Sequence, residues 1–124
     1  DLTIVTYGNT THMSIKAANK LQEEMGLSTE VIDIRSLVPL DTDMILESVK
    51  KTGKVLVVHE DKVFSGFGAE IAAQITDLGF EYLDGPVMRV GSTFTPVGFN
   101  RILEKAILPN EDKIFDSLKK LAEY

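Results

Sequence analysis

Four short β-rich runs alternate with segments of helical period along the chain, and this alternation limits the fold more than any other feature. Leu2 to Tyr7 reads Leu-Thr-Ile-Val-Thr-Tyr, and Gly8 supplies a turn directly after it. From about His12 to Met25 the apolar residues Ala17, Ala18, Leu21 and Met25 share one helical face, with Gly26 as a natural stop. Thr29 to Ile34 is the second run, broken by Ser36 through Pro39. Asp41 is placed to cap a helix through about Lys51, with Ile45 and Val49 inward and Gly53 closing it. Lys54 to Val58 contains Val-Leu-Val-Val, the most hydrophobic run and the expected central strand. A loop over Glu60 to Gly66 and a helix from about Phe67 to Leu78 follow, with Ile71, Ala72 and Ile75 inward. Val87 to Val90 is the last short run. A helix over Arg101 to Ile107 then precedes Pro109, and Asn110 can cap a final helix striped by Ile114, Leu118 and Leu121.

Strands separated by helices specify a mostly parallel sheet covered on both faces, so the expected fold is α/β, a three-layer α/β/α sandwich of about five strands. With 124 residues and no linker, repeat or low-complexity tract, residues 1–124 form one domain. The chain has no cysteine, which excludes disulfides, thiolate nucleophiles and cysteine metal sites. Its apolar runs are far shorter than the roughly 20 residues of a membrane span, and no membrane partner is expected. The N-terminus lacks the layout of a signal peptide, and a cytoplasmic compartment fits best. The formal charge of −6 and the absence of a basic stripe argue against nucleic acid. Lys50-Lys51 and Lys119-Lys120 fall near expected helix C-termini, where positive charge complements the dipole.

Open α/β sheets bind ligands beyond the carboxyl ends of their strands, so those junctions hold the residues of chemical interest. Gly8-Asn9-Thr10-Thr11 is either a structural turn or an anion site at a helix N-terminus. Gly66-Phe67-Gly68 has two glycines of a dinucleotide fingerprint, but Ile71 stands where the third belongs, which favours a tight turn. His59 and Glu60 end the most buried run and enter a loop, where acid–base residues often sit; a hydrogen-bonded histidine and a solvated glutamate are the alternative. His12 is expected to be exposed in the first helical turn. Two histidines at unrelated positions do not make a metal site.

Several phrases, in order, resemble the transketolase C-terminal domain as found in the E1 β part of thiamine-diphosphate-dependent 2-oxoacid dehydrogenases. They are Val31-Ile32-Asp33-Ile34-Arg35-Ser36-Leu37-Val38-Pro39-Leu40-Asp41, then Val57-Val58-His59-Glu60 with Gly66-Phe67-Gly68-Ala69-Glu70-Ile71, then Asp84-Gly85-Pro86-Val87-Met88-Arg89-Val90. Thr95-Pro96, Leu103-Glu104-Lys105 and Leu108-Pro109 extend the resemblance, which runs from about Leu2 to Tyr124. It implies that thiamine diphosphate and magnesium are held by other domains, so that no catalytic, cofactor-binding or metal-binding residue lies in this chain. The implied partners are an E1 α part, a second E1 β part and the basic subunit-binding domain of E2, with Asp84 and the Tyr124 carboxylate as the docking residues. Phe94, Gly98 and Ser65 depart from common family residues, and the 2-oxoacid is left open between branched-chain acids, pyruvate and acetoin, with a tilt to the branched-chain side. A free-standing anion- or nucleotide-binding module, or the equivalent domain of a transketolase or deoxyxylulose-phosphate synthase, is the alternative. A subunit interface also requires exposed apolar surface, expected at the Phe64-to-Phe67 loop and the Phe94-to-Phe99 segment, with packing of those phenylalanines into the core as the alternative.

Overall fold

A computed structural model describes residues 1–124. The elements run β1 (Leu2–Thr6), α1 (Thr10–Met25), β2 (Thr29–Asp33), α2 (Thr42–Thr52), β3 (Val55–Lys62), α3 (Phe67–Gly79), β4 (Met88–Ser92), α4 (Arg101–Ile107) and α5 (Glu111–Ala122), with a 3₁₀ turn at Phe80–Tyr82 after α3. The strands form one parallel sheet in the order β2-β1-β3-β4. The sheet therefore has four strands rather than about five. The remaining segments carry Pro39, Gly85-Pro86 and Pro96, and each proline removes an N–H that a ladder needs, so these segments form turns and connections.

Alternating side chains divide the core between the two faces of the sheet. Leu2, Ile4, Leu56 and Val58 pack with Ala17 and Leu21 of α1 and with Ile114, Leu118 and Leu121 of α5. Val5, Val55 and Val57 turn the other way, against Ile45 and Val49 of α2 and Ile71 and Ile75 of α3. Each fully buried leucine or isoleucine contributes about 1.5–3 kcal/mol relative to an exposed one, so both faces are held by several such residues. Helix ends follow local chemistry. The Asp41 carboxylate accepts from the Met44 N–H at 3.1 Å, and the Asn110 side chain from the Lys113 N–H at 3.0 Å. Lys50 and Lys51 lie in the last turn of α2, and Lys119 and Lys120 in that of α5. Only α4 buries nothing.

In a parallel sheet every strand starts at one end and finishes at the other. Strand β3 runs on through Lys62, beyond the expected stop at Val58. Its pairing with β4 is irregular there. Val58 faces Val90 and Lys62 faces Ser92, so His59, Glu60 and Asp61 bulge against the single residue Gly91.

Candidate functional site at the ends of the strands

The carboxyl ends of β1 and β3 flank the point where the chain switches direction across the sheet, the usual place for a ligand crevice. Here the crevice is filled by His59. Its side chain has no exposed surface, and neither ring nitrogen has a hydrogen-bond partner. Three glycines leave the ring its room: a β-carbon at Gly66 or Gly68 would run into the imidazole, and one at Gly91 would stand 3.1 Å from its Cε1 and Nε2. Tyr7, just past β1, stacks on the imidazole at 6.4 Å between centroids, and Phe67 meets Tyr7 edge-on. Burial holds His59 below the ordinary histidine pKa; Asp61 pulls it up and Arg89 pushes it further down. Burial, then Asp61, raises the Tyr7 hydroxyl.

This corrects the expectation that His59 leaves the strand for a loop. The bulge keeps the strand going, and His59 stays an interior residue while Glu60 is exposed. It also lacks the hydrogen bond of the alternative reading. Tyr7 and Gly91 were not singled out in the sequence; the signal for Gly91 is an isolated glycine within a strand, which marks a bulge or a close approach.

The Gly8 turn is structural. Gly8 has φ +66°, Thr10 Oγ1 donates to the Tyr7 carbonyl at 2.8 Å, and Thr11 Oγ1 donates to Asp33 at 3.0 Å. Those hydroxyls are engaged by the protein, and the nearby carboxylate, itself paired with Arg35 at 2.8 Å, opposes an anion. His12 is exposed in the first turn of α1. No three His, Asp or Glu side chains converge as a metal site would require.

Beyond β3 and β4 the surface turns apolar. Phe64 and Phe94 contact each other at 4.7 Å between ring centroids and are both exposed, while Phe99 is fully exposed. Ile102 (79% exposed) and Leu103 (52%) of α4 extend the apolar surface contributed by this stretch of chain. Of the expected aromatics Phe67 alone turns inward, to Tyr7.

Asp84 and Tyr124 lie at the opposite end, before β4 and after α5. The Asp84 N–H donates to the Gly53 carbonyl at 2.8 Å, and its exposed carboxylate lies where a Gly53 β-carbon would project. A β-carbon on Gly85 would sit 3.1 Å from Tyr124 Cβ, so residues far apart in sequence become neighbours. Lys54 ties this end together, its Nζ donating to the Ala122 carbonyl at 3.2 Å. A cleft of about 320 Å³ there is lined by Asp1, Lys51, Lys54 and Asp84 among others.

The family model described as "Transketolase, C-terminal domain" matches residues 1–114. The chain belongs to the transketolase C-terminal domain family. Among sequence relatives, the "Pyruvate dehydrogenase E1 component subunit beta" of Rickettsia felis is 42% identical over 123 residues, covering 99% of this chain and 37% of the relative. The "2-oxoisovalerate dehydrogenase subunit beta, mitochondrial" of Dictyostelium discoideum is 40% identical, covering 100% and 33%. The "3-methyl-2-oxobutanoate dehydrogenase subunit beta" of Mycobacterium tuberculosis is 40% identical, covering 98% and 34%. A solved chain titled "Split gene transketolase, inactive beta4 tetramer" superposes with a TM-score of 0.82 at 28% identity, covering 98% of this chain and 38% of its own. The chain thus spans about a third of the length of these β subunits. This transketolase C-terminal domain has no helix long and apolar enough to cross a membrane.

Proposed function

We propose that the chain is the C-terminal domain of the E1 β part of a thiamine-diphosphate-dependent 2-oxoacid dehydrogenase, with pyruvate or a branched-chain 2-oxoacid as substrate. In that setting it serves subunit assembly and docking of E2, and it is inactive alone. The observation that carries this reading is the apolar surface past the carboxyl ends of the strands: Phe64, Phe94, Phe99 and Ile102 are all more than 60% exposed, and α4 has no buried residue. Such a stretch fits contact with an E1 α part or a second E1 β part.

The residues present do not fit thiamine diphosphate or its magnesium. No carboxylate–histidine cluster is placed for a metal, and the switch-point crevice is closed by His59 and its glycines. The cofactor chemistry therefore belongs to domains outside this chain. Calorimetric titration of the chain with thiamine diphosphate and magnesium should show no binding, and micromolar stoichiometric binding would refute the assignment.

Docking of E2 is proposed for the other end. Tyr124 lies beside Gly85, the residue after Asp84, which supports Asp84 and Tyr124 as one contact for a basic subunit-binding domain. Surface plasmon resonance with an E2 subunit-binding domain tests this at low and high salt. Asp84→Asn, and an extension beyond Tyr124, should each weaken binding by about 1–3 kcal/mol if the charge pairs are desolvated. Parent-like affinity in both variants would place the docking site elsewhere.

A further inference from the structure

We infer that His59 is a proton-sensitive latch under the Val63–Gly66 turn, so that acidification loosens the turn that presents Phe64 at the apolar surface. The inference rests on reading that surface as a subunit interface, and it adds how the interface is regulated.

A neutral imidazole has one N–H and one lone pair, and in His59 both are sealed from solvent without a partner. Protonation turns both nitrogens into donors and adds a charge, which full burial opposes. The surroundings give that charge little help. The bulge carries Asp61, whose carboxylate favours it, and β4 carries Arg89, which disfavours it. The end of β1 offers the Tyr7 ring in a stack, and the start of α3 brings Gly66 and Gly68 against the imidazole, with no charge at either position. Burial outweighs Asp61, so the folded state prefers the neutral ring.

The turn is the segment whose opening would bring water to the ring. Tyr7, Gly91 and Gly68 belong to segments anchored by the sheet and by α3, whereas the turn is held by a few contacts. The Val63 N–H donates to the Ser92 carbonyl at 3.0 Å, Arg89 Nη1 donates to the Val63 carbonyl at 2.8 Å, and Phe64 rests on Phe94. Ser65, exposed at φ +60°, holds a left-handed conformation that a non-glycine residue adopts at a cost. Opening the turn hydrates His59 and leaves both cores intact. A histidine whose folded pKa lies below its unfolded value stabilises the closed form fully above about pH 6.5 and loses that contribution as pH falls. Turn opening then grows by at most about tenfold per pH unit, the limit for one proton.

The test uses this chain, ¹⁵N-labelled, with imidazole NMR and amide exchange followed from about pH 7.5 to about pH 5. His59 should remain neutral below the ordinary histidine value. Exchange of the Phe64–Gly68 amides, corrected for intrinsic rate, should rise several-fold relative to α5 as pH falls. In His59→Phe, which keeps a ring in the glycine cradle without a titrating group, that rise should vanish. The latch is overturned if His59 takes up a proton at the ordinary value with the turn unaffected, or if the variant keeps the same pH response. If the variant does not fold, the wild-type titration and exchange decide alone. Binding of the E1 α part, measured over the same pH range, separates the two claims. A pH-dependent turn with no α binding at any pH overturns the interface reading and leaves the latch standing.

Discussion

At the carboxyl ends of the strands the surface is apolar and the layer beneath it is tight: Phe64, Phe94 and Ile102 face outward, and His59 lies fully buried among glycines. At the amino ends the surface is charged, with Asp1, Lys51, Lys54 and Asp84 around a cleft and Tyr124 beside Gly85. A parallel sheet makes this division possible, because each strand contributes its start to one end and its finish to the other. Exposed aromatic surface is stabilised by being covered, whereas exposed carboxylates gain most from a partner of opposite charge. On the proposed reading the two ends serve different partners, the apolar end other parts of E1 and the charged end E2.

The comparison breaks first if the apolar end matters to the isolated fold. Phe99→Ser and Ile102→Lys should leave urea stability within about 0.5 kcal/mol, because neither side chain packs into a core. In the assembled enzyme the pair should weaken association by about 2–4 kcal/mol, the scale of central interface anchors, as read by sedimentation. The same substitution at the two ends sharpens the contrast in packing. Gly68→Ala forces a β-carbon into His59 and should cost about 1–3 kcal/mol in chemical unfolding. Gly85→Ala meets Tyr124, an exposed side chain outside both cores, and should cost about a few tenths of a kcal/mol.

A smaller effect separates the ends by pH. Ser48 donates to Glu30 at 2.6 Å and Lys51 pairs with it at 3.0 Å; Ser48 first, then Lys51, holds the Glu30 carboxyl below its ordinary value. A carboxylate with a depressed folded pKa stabilises above the ordinary glutamate value, and that contribution is lost as pH falls through the folded pKa. Glu30 thus acts in acid, below the window in which His59 begins to respond. Ser48→Ala should remove under about 1 kcal/mol near pH 7 and flatten the acid limb of a stability–pH curve, while leaving the His59 window unchanged.

Much of the fold was legible because it is written locally. Periodicity located the strands and most helices, Asp41 and Asn110 announced their caps, and the apolar faces of α2, α3 and α5 match their buried residues. The length of β3 was not legible from its own residues, since the bulge depends on Gly91 some 30 residues away. The closed state of the crevice has the same origin: the glycines around His59 belong to the turn before α3, to α3 and to β4. Asp84 and Tyr124 came from the family resemblance, and only tertiary structure brings them together. The exposed phenylalanines were half legible: turn-rich segments hold them, yet the inward rotation of Phe67 depends on Tyr7.

The central claim is that the apolar surface at the carboxyl end is covered by other parts of a 2-oxoacid dehydrogenase. Amide exchange of this chain, alone and then within an assembled E1 containing its α part and the rest of β, tests it most directly. The account predicts strong new protection over residues 94–107 and the Phe64 turn on assembly, with residues 84–86 and Tyr124 unchanged until an E2 subunit-binding domain is added. Unchanged exchange over residues 94–107 in the assembled enzyme would contradict it.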